Sequence, residues 1–304
     1  MKKMLTMLLI SAVGISMFPF TSTAEAANKP IVGNPELSVL VDGRKVVFQG
    51  GDPVSEKGRV QVPLRGIGEA LDANVGYSGN TVTYQKTGKS ITLTLGSNVA
   101  IVDGESVSMD TTAKAVKGRT YVPLRFVSEN LGVSVSWDQA ANWVWIGPKE
   151  IPTPEEAGVK NVPISDFKTL IGKYEVLLTS AFGVKYTTVN VINVDQLPLK
   201  IGDVIIYDIW PIKQGSNEGL KMHVSNDSPS ITFLGSKFTA KRRDPIKTLN
   251  VKNPDTTLTL AYPIVFGNDI DEDPDYKSFK LSQVEYFVIS LSSDSLTVIV
   301  NPFK

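Results

Sequence analysis

The feature that most constrains this chain is a duplication. Gly58-Arg59-Val60-Gln61-Val62-Pro63-Leu64-Arg65 returns sixty residues later as Gly118-Arg119-Thr120-Tyr121-Val122-Pro123-Leu124-Arg125. The register holds downstream without a gap: Glu69 stands with Glu129, Leu71 with Leu131, Val75 with Val135 and Tyr77 with Trp137. Upstream, Val41-Asp42-Gly43 answers Val102-Asp103-Gly104 with one residue inserted between. A unit repeated at a fixed period is one supersecondary element used twice, its copies burying together what neither buries alone.

Each copy has a physical reading. Asp-Gly at 42–43 and 103–104 lies between short apolar runs, the strongest short hairpin signal. A short strand follows, Val60 to Val62 or Thr120 to Val122, and then a proline, which is tolerated in the first turn of a helix. Leu64, Ile67 and Leu71 repeat at helical spacing, as do Leu124, Val127 and Leu131. That spacing predicts one buried stripe on a short helix in each copy. Strands are expected again at Asn74 to Tyr77 and Val133 to Trp137, with further hairpins over Thr81 to Gln85, Ile91 to Leu95 and Trp143 to Ile146.

The paired Gly-Arg-x-x-Val-Pro-Leu-Arg elements, the hairpin Asp-Gly and the closing Val135-Ser136-Trp137-Asp138 resemble the copper amine oxidase N-terminal domain-like family. This is a stalk module of exported proteins in Gram-positive bacteria, and the likeness runs from about Leu37 to Gly147. It implies an antiparallel sheet packed on a helix, outside any catalytic machinery. It does not imply oxidase chemistry. The sequence holds one His and no Cys, whereas a copper centre takes soft sulfur or several imidazoles. No Tyr follows an Asn, so the Asn-Tyr-Asp or Asn-Tyr-Glu setting of a tyrosine-derived quinone is missing too. No cofactor is expected.

Composition narrows the classes further. Thirty-one basic and 31 acidic side chains cancel, which argues against a nucleic-acid partner. Lys2 and Lys3, the apolar run Leu5 to Phe20 and the small-x-small Ala24-Glu25-Ala26 form the three parts of a secretory signal. Residues 1–26 are therefore expected to be removed, leaving a secreted protein, extracellular or non-covalently wall-associated, with no transmembrane segment. No lipobox is available without Cys, and no apolar tail followed by charges precedes Lys304, so a covalent anchor is not expected.

The expected organisation is a signal peptide (1–26), the stalk-like module with its two repeats (27–147), a Pro-rich linker (148–160) and a β-rich domain (161–304). The linker has three prolines between Pro148 and Pro154 and reads as an extended spacer. Beyond it, runs rich in Val, Ile, Thr, Tyr and Phe predict strands at Tyr174 to Leu178, Thr187 to Val194, Val204 to Ile209, Ser230 to Leu234, Thr257 to Tyr262, Glu285 to Leu291 and Leu296 to Val300. Only Asp166 to Gly172 looks helical. The fold class is α+β: a duplicated small antiparallel sheet-plus-helix module followed by an all-β sandwich or barrel domain.

Two groups of residues are candidates for sites. Trp143 and Trp145 stand two apart on one strand face, and with Trp137 they could stack on sugar rings. Against this, Tyr77 at Trp137's position suggests packing, since a repeat reuses its core positions. Asp269, Asp271, Asp273 and Asp275, with Glu272, offer hard oxygens to Ca²⁺. The helix–loop–helix calcium pattern fails there, because Pro274 replaces the turn glycine and Lys280 the final glutamate. Arg65 and Arg125 are expected to bond a neighbouring strand's carbonyls. His223 is expected to be a packed or surface residue, and Lys241-Arg242-Arg243 is too short for a nucleic-acid patch.

The expected function is an exported, non-catalytic cell-envelope protein whose stalk-like module presents a β-domain to a wall polysaccharide or a surface protein. Two alternatives stand beside it: an extracellular carbohydrate-active hydrolase with its site in residues 160–304, and a structural or inhibitory module that pairs β-edges with a protein partner.

Overall fold

The computed structural model describes residues 33–49, 51–171, 174–180, 183, 185–214, 217–235, 238–267, 269, 275–291 and 293–304. The signal-like segment 1–26 lies outside them, as do Asp271, Glu272 and Asp273.

The repeats meet at a local two-fold axis. The motif strands Arg59–Pro63 and Arg119–Pro123 pair antiparallel, with Val62 opposite Val122, Pro63 opposite Tyr121 and Gln61 opposite Pro123. The register is its own mirror: each copy makes to the other the contacts that the other makes to it. Each motif strand is the second arm of a hairpin, Val54–Glu56 or Lys114–Val116 being the first. The turns are Lys57-Gly58 and Lys117-Gly118, with φ of 50° and 74° in one and 48° and 75° in the other. Two consecutive positive φ values make the turn that matches strand twist, and glycine takes the second without strain. The motif glycine is therefore a hairpin residue, a role that the Asp-Gly signal alone did not reveal.

Pro63 and Pro123 end these strands and lead into helices α1 (Leu64–Ala70) and α2 (Leu124–Asn130). Leu64, Ile67 and Leu71 are buried, and so are Leu124, Val127 and Leu131, in a core shared with Val62, Val122, Val144 and Ile146. Both helix stripes are as expected. The Tyr84 hydroxyl donates to the Leu64 carbonyl at 3.0 Å, tying the five-stranded sheet between residues 74 and 108 to α1. One expectation needs correction. Ser38–Val41 lies parallel to Trp143–Ile146, so the module is closed by its first and last strands and is not purely antiparallel.

The second half is β-rich. One sheet orders Lys160–Pro163, Thr188–Ile192, Leu296–Val300, Tyr286–Ile289, Ile231–Gly235 and Phe238–Arg243; the other orders Leu199–Ile201, Val204–Gln214, Asn217–Val224, Leu258–Pro263 and Val251–Lys252. Phe233, Phe287 and Ile299 of the first sheet share a core with Ile206, Met222 and Leu260 of the second. The neighbouring residues Leu234, Val288 and Val298 point the other way, under Phe167, Ile171 and Leu177. Strands covered on both faces read as continuous apolar runs, and these do. The expected strand at Tyr174 to Leu178 is instead a 3₁₀ helix, Glu175–Leu178, laid on that outer face through Leu177. A short apolar run does not distinguish the two conformations.

The Pro-rich segment is not a free spacer. Lys200 donates its backbone N–H to the Pro152 carbonyl at 2.8 Å, and the Arg44 guanidinium donates to the Glu156 carbonyl at 3.1 Å. The Thr153 N–H and hydroxyl both bond the Glu156 carboxylate, at 2.8 and 3.1 Å, and the Thr153 carbonyl accepts from Ala157 N–H. Thr-x-x-Glu here closes a capping box on a single turn. Gly43 faces the Glu150 carbonyl so closely that an added Cβ would lie 2.0 Å from it. Residues 31–304 accordingly form one compact unit.

Candidate functional site

Three tryptophans fall on one strand pair, and alternation divides them. Val135–Asp138 runs antiparallel to Trp143–Ile146, with Trp137 opposite Val144 and Asp138 opposite Trp143. Trp143 and Trp145 therefore share a face with Asp138, while Trp137 and Val144 share the other.

The first face is sealed. Trp143 is 0% exposed and Trp145 2%, in a cluster with Leu40, Ala141, Ile151 and Tyr207. Neither ring is available to a polymer, so two of the three expected sugar-stacking residues are core residues. What covers them is the β-rich half, through Tyr207, whose ring meets Trp143 edge-on at 6.4 Å.

This junction is polar as well as aromatic. The Lys45 ammonium lies 3.1 Å from the Asp208 carboxylate, with both side chains nearly enclosed, and 5.0 Å from the centre of the Trp143 ring. Burial pushes the Asp208 carboxyl above its usual range, against the pull of Lys45. Beside it, His223 is 0% exposed and stacks on Tyr207 at 4.5 Å. The Thr257 hydroxyl donates to Asp255 (2.6 Å) and accepts from the Asn253 amide (3.0 Å). It has one proton to give, so its contact with His223 Nε2 at 2.7 Å requires Nε2 to carry hydrogen. Nδ1 is then a bare acceptor, with no hydrogen-bond partner among the described residues. Burial lowers the His223 pKa, opposed by the carboxylates of Asp138 and Asp255. An enclosed ring of this kind packs the junction.

The second face is open. Trp137 is 46% exposed and stands at a cleft of about 530 Å³ between the two repeats. Val60, Leu124, Val135 and Val144 contribute its apolar lining, and Arg59, Asp110, Arg125 and Glu129 contribute charge. Arg59 pairs with Asp110, and Arg125 lies 3.8 Å from Glu129 one helical turn on. Cations and anions match in number, so hydrogen-bond donors and acceptors are presented without net charge. Arg65 and Arg125 are both exposed, and among the described residues neither bonds a strand carbonyl, contrary to expectation.

The acidic run is divided by its surroundings. Asp269 is buried, 2.6 Å from the Arg243 guanidinium and 3.9 Å from the Lys241 ammonium, and it accepts the Phe266 N–H at 2.8 Å. Its oxygens are thus engaged by two cations and a backbone N–H. Asp275 precedes the 3₁₀ turn Tyr276–Ser278, and its carbonyl accepts the Ser278 N–H. Asp271 and Asp273 lie outside the described residues. Lys241-Arg242-Arg243 thereby gains a structural role: Arg243 also donates to the carbonyls of Pro263 and Ile264, tying the edge strand Phe238–Arg243 to the end of Leu258–Pro263 in the other sheet.

Residues 40–146 match the family model described as copper amine oxidase N-terminal domain. The match spans both repeats and stops at the end of the strand Trp143–Ile146; the β-rich half lies beyond it. No curated protein matches the chain.

Proposed function

We propose that this chain is an exported, non-catalytic cell-envelope protein that binds a wall polysaccharide through the Trp137 cleft. The observation that carries the reading is the cleft itself, an indole nearly half exposed beside charge-balanced arginine and carboxylate groups. A pyranose ring has an apolar C–H face and an equatorial belt of hydroxyls. The indole suits the first, and the paired Arg125 and Glu129, with Ser136, suit the second. The Lys2-Lys3, apolar and Ala24-Glu25-Ala26 succession supports export. A match to an N-terminal domain supplies no catalytic residue, which supports a binding role for the module.

The site carries its own reporter. Trp143, Trp145 and Trp210 are buried, leaving Trp137 as the exposed indole. Titrating residues 27–304 with sonicated, peptide-stripped peptidoglycan strands should change the fluorescence, and Trp137→Ala should both remove that change and weaken binding more than tenfold, or by more than about 1.4 kcal/mol. Binding unaltered by Trp137→Ala would refute the reading.

A further inference from the structure

Two groups stand out among the pairs of residues related by the sixty-residue repeat. Val62 and Val122, Leu64 and Leu124, Ile67 and Val127, Leu71 and Leu131 are buried in both copies, and the shared core accounts for them. Arg65 and Arg125, Glu69 and Glu129, Tyr77 and Trp137 are exposed in both copies. Packing does not account for these. Tyr77 is 54% exposed, more than Trp137, so the expectation that a shared aromatic position means a shared core position is overturned.

The local setting is duplicated along with the residue types. Tyr77 lies opposite Val82 on the adjacent strand, as Trp137 lies opposite Val144, and both valines are buried. Each ring thus sits at the margin of the core with its outer part in solvent. The helix in each copy sets an arginine in its first turn and a glutamate four residues on, so each copy carries one cation and one anion. Even a substitution within the repeat is compensated. Phe126 lines the Trp137 cleft; its counterpart Gly66 has no side chain, and the Phe48 ring lies against it, 2.5 Å from where a Cβ would stand. A phenyl ring thus lies at the same point of both helices, supplied by different parts of the chain.

We infer that the module is bivalent: Tyr77, with Arg65 and Glu69, is a second and weaker platform for the polysaccharide that the Trp137 cleft holds. This inference rests on the carbohydrate reading of that cleft. The axis through Val62 and Val122 relates the two repeats within one compact unit, so the spacing of the two platforms is fixed. The second contact is then intramolecular. Linked weak sites of this kind raise apparent affinity by about 10²–10⁴-fold without any new contact. Tyrosine offers the smaller ring, which makes its platform the weaker of the two.

The experiment compares long and short pieces of the same glycan. Sonicated, peptide-stripped peptidoglycan strands are long enough to span both platforms; the disaccharides that muramidase releases from them occupy one at a time. With long strands, Tyr77→Ala should weaken binding at least tenfold, and Tyr77→Trp should match or exceed the wild type. With disaccharides, calorimetry should count two per chain for the wild type and one for Tyr77→Ala, while the Trp137 fluorescence response persists. Melting temperatures should agree across the variants, since the ring is half in solvent. A Tyr77→Ala protein that holds long strands like the wild type, or a wild type that takes one disaccharide, overturns the second platform and leaves the cleft standing. Loss of the cleft would show differently, as Trp137→Ala binding both probes unchanged.

Discussion

The two faces of the strand pair 135–138 and 143–146 carry the same residue type to opposite ends. Trp137 on one face remains half in water above a charged cleft, whereas Trp143 and Trp145 on the other are enclosed by Tyr207 of the β-rich half. Parity along the strand decides which face each ring takes. What lies across that face decides whether the ring is core or contact surface. The comparison shows why aromatic content alone says little about binding: a single sheet uses tryptophan both to weld two halves together and to leave a platform open.

The sharpest way to break this comparison is to damage each face in turn. Trp143→Ala should cost about 3–5 kcal/mol, the range for emptying a large aromatic site in a core. Trp137→Ala should stay within about 0.5 kcal/mol, as for a surface position. Lys45→Ala tests the polar part of the sealed face. It leaves the Asp208 carboxylate enclosed without its cation, which costs about 3–5 kcal/mol, while replacing both partners with Met and Leu should be close to neutral. Urea unfolding of all four proteins measures these differences. If Trp137→Ala destabilised as much as Trp143→Ala, the open face would be a packed one.

How much of this was legible beforehand depended on the range of the interaction. The stripes Leu64-Ile67-Leu71 and Leu124-Val127-Leu131 are local patterns, and both helices bury them. The strand Leu296–Val300 is likewise local, its five residues all β-branched or leucine. The Lys-Gly turns at 57–58 and 117–118 were hidden because lysine at positive φ carries no composition signal. The strand Asn217–Val224 was missed because its middle, Gly-Leu-Lys-Met-His, alternates poorly; the structure covers both of its faces. The junction was beyond reach for a different reason. Lys45 and Asp208 are far apart in sequence and ordinary in type, and nothing local says that one will lie on the other. The candidate site shows the same divide. Alternation correctly grouped Trp143 with Trp145, but which face of the sheet the second half would cover was not written in either strand.

His223 gives the smallest effect and the finest test of the junction. Burial lowers its pKa in the folded protein, and the carboxylates of Asp138 and Asp255 restore only part of that loss. In the unfolded chain the imidazole has its ordinary value of about 6.5. Below that pH the unfolded chain binds a proton that the folded protein does not, so folding loses stability as the pH falls through about 6.5 and retains it above. One such group contributes a slope of at most about 1.4 kcal/mol per pH unit. Asp208 works in the opposite sense, because its raised carboxyl takes up a proton more readily folded than unfolded, so its contribution falls as the pH rises. Denaturant unfolding of the wild type and His223→Gln between about pH 8 and pH 5.5 isolates the histidine, because Asp208 is common to both. His223→Gln keeps an N–H donor for the Thr257 hydroxyl and has nothing to titrate at that position, so the wild type should lose stability relative to it as the pH falls. A wild type that keeps pace with His223→Gln, or gains on it toward acid, would mean that His223 is charged in the fold, with Asp138 and Asp255 outweighing burial.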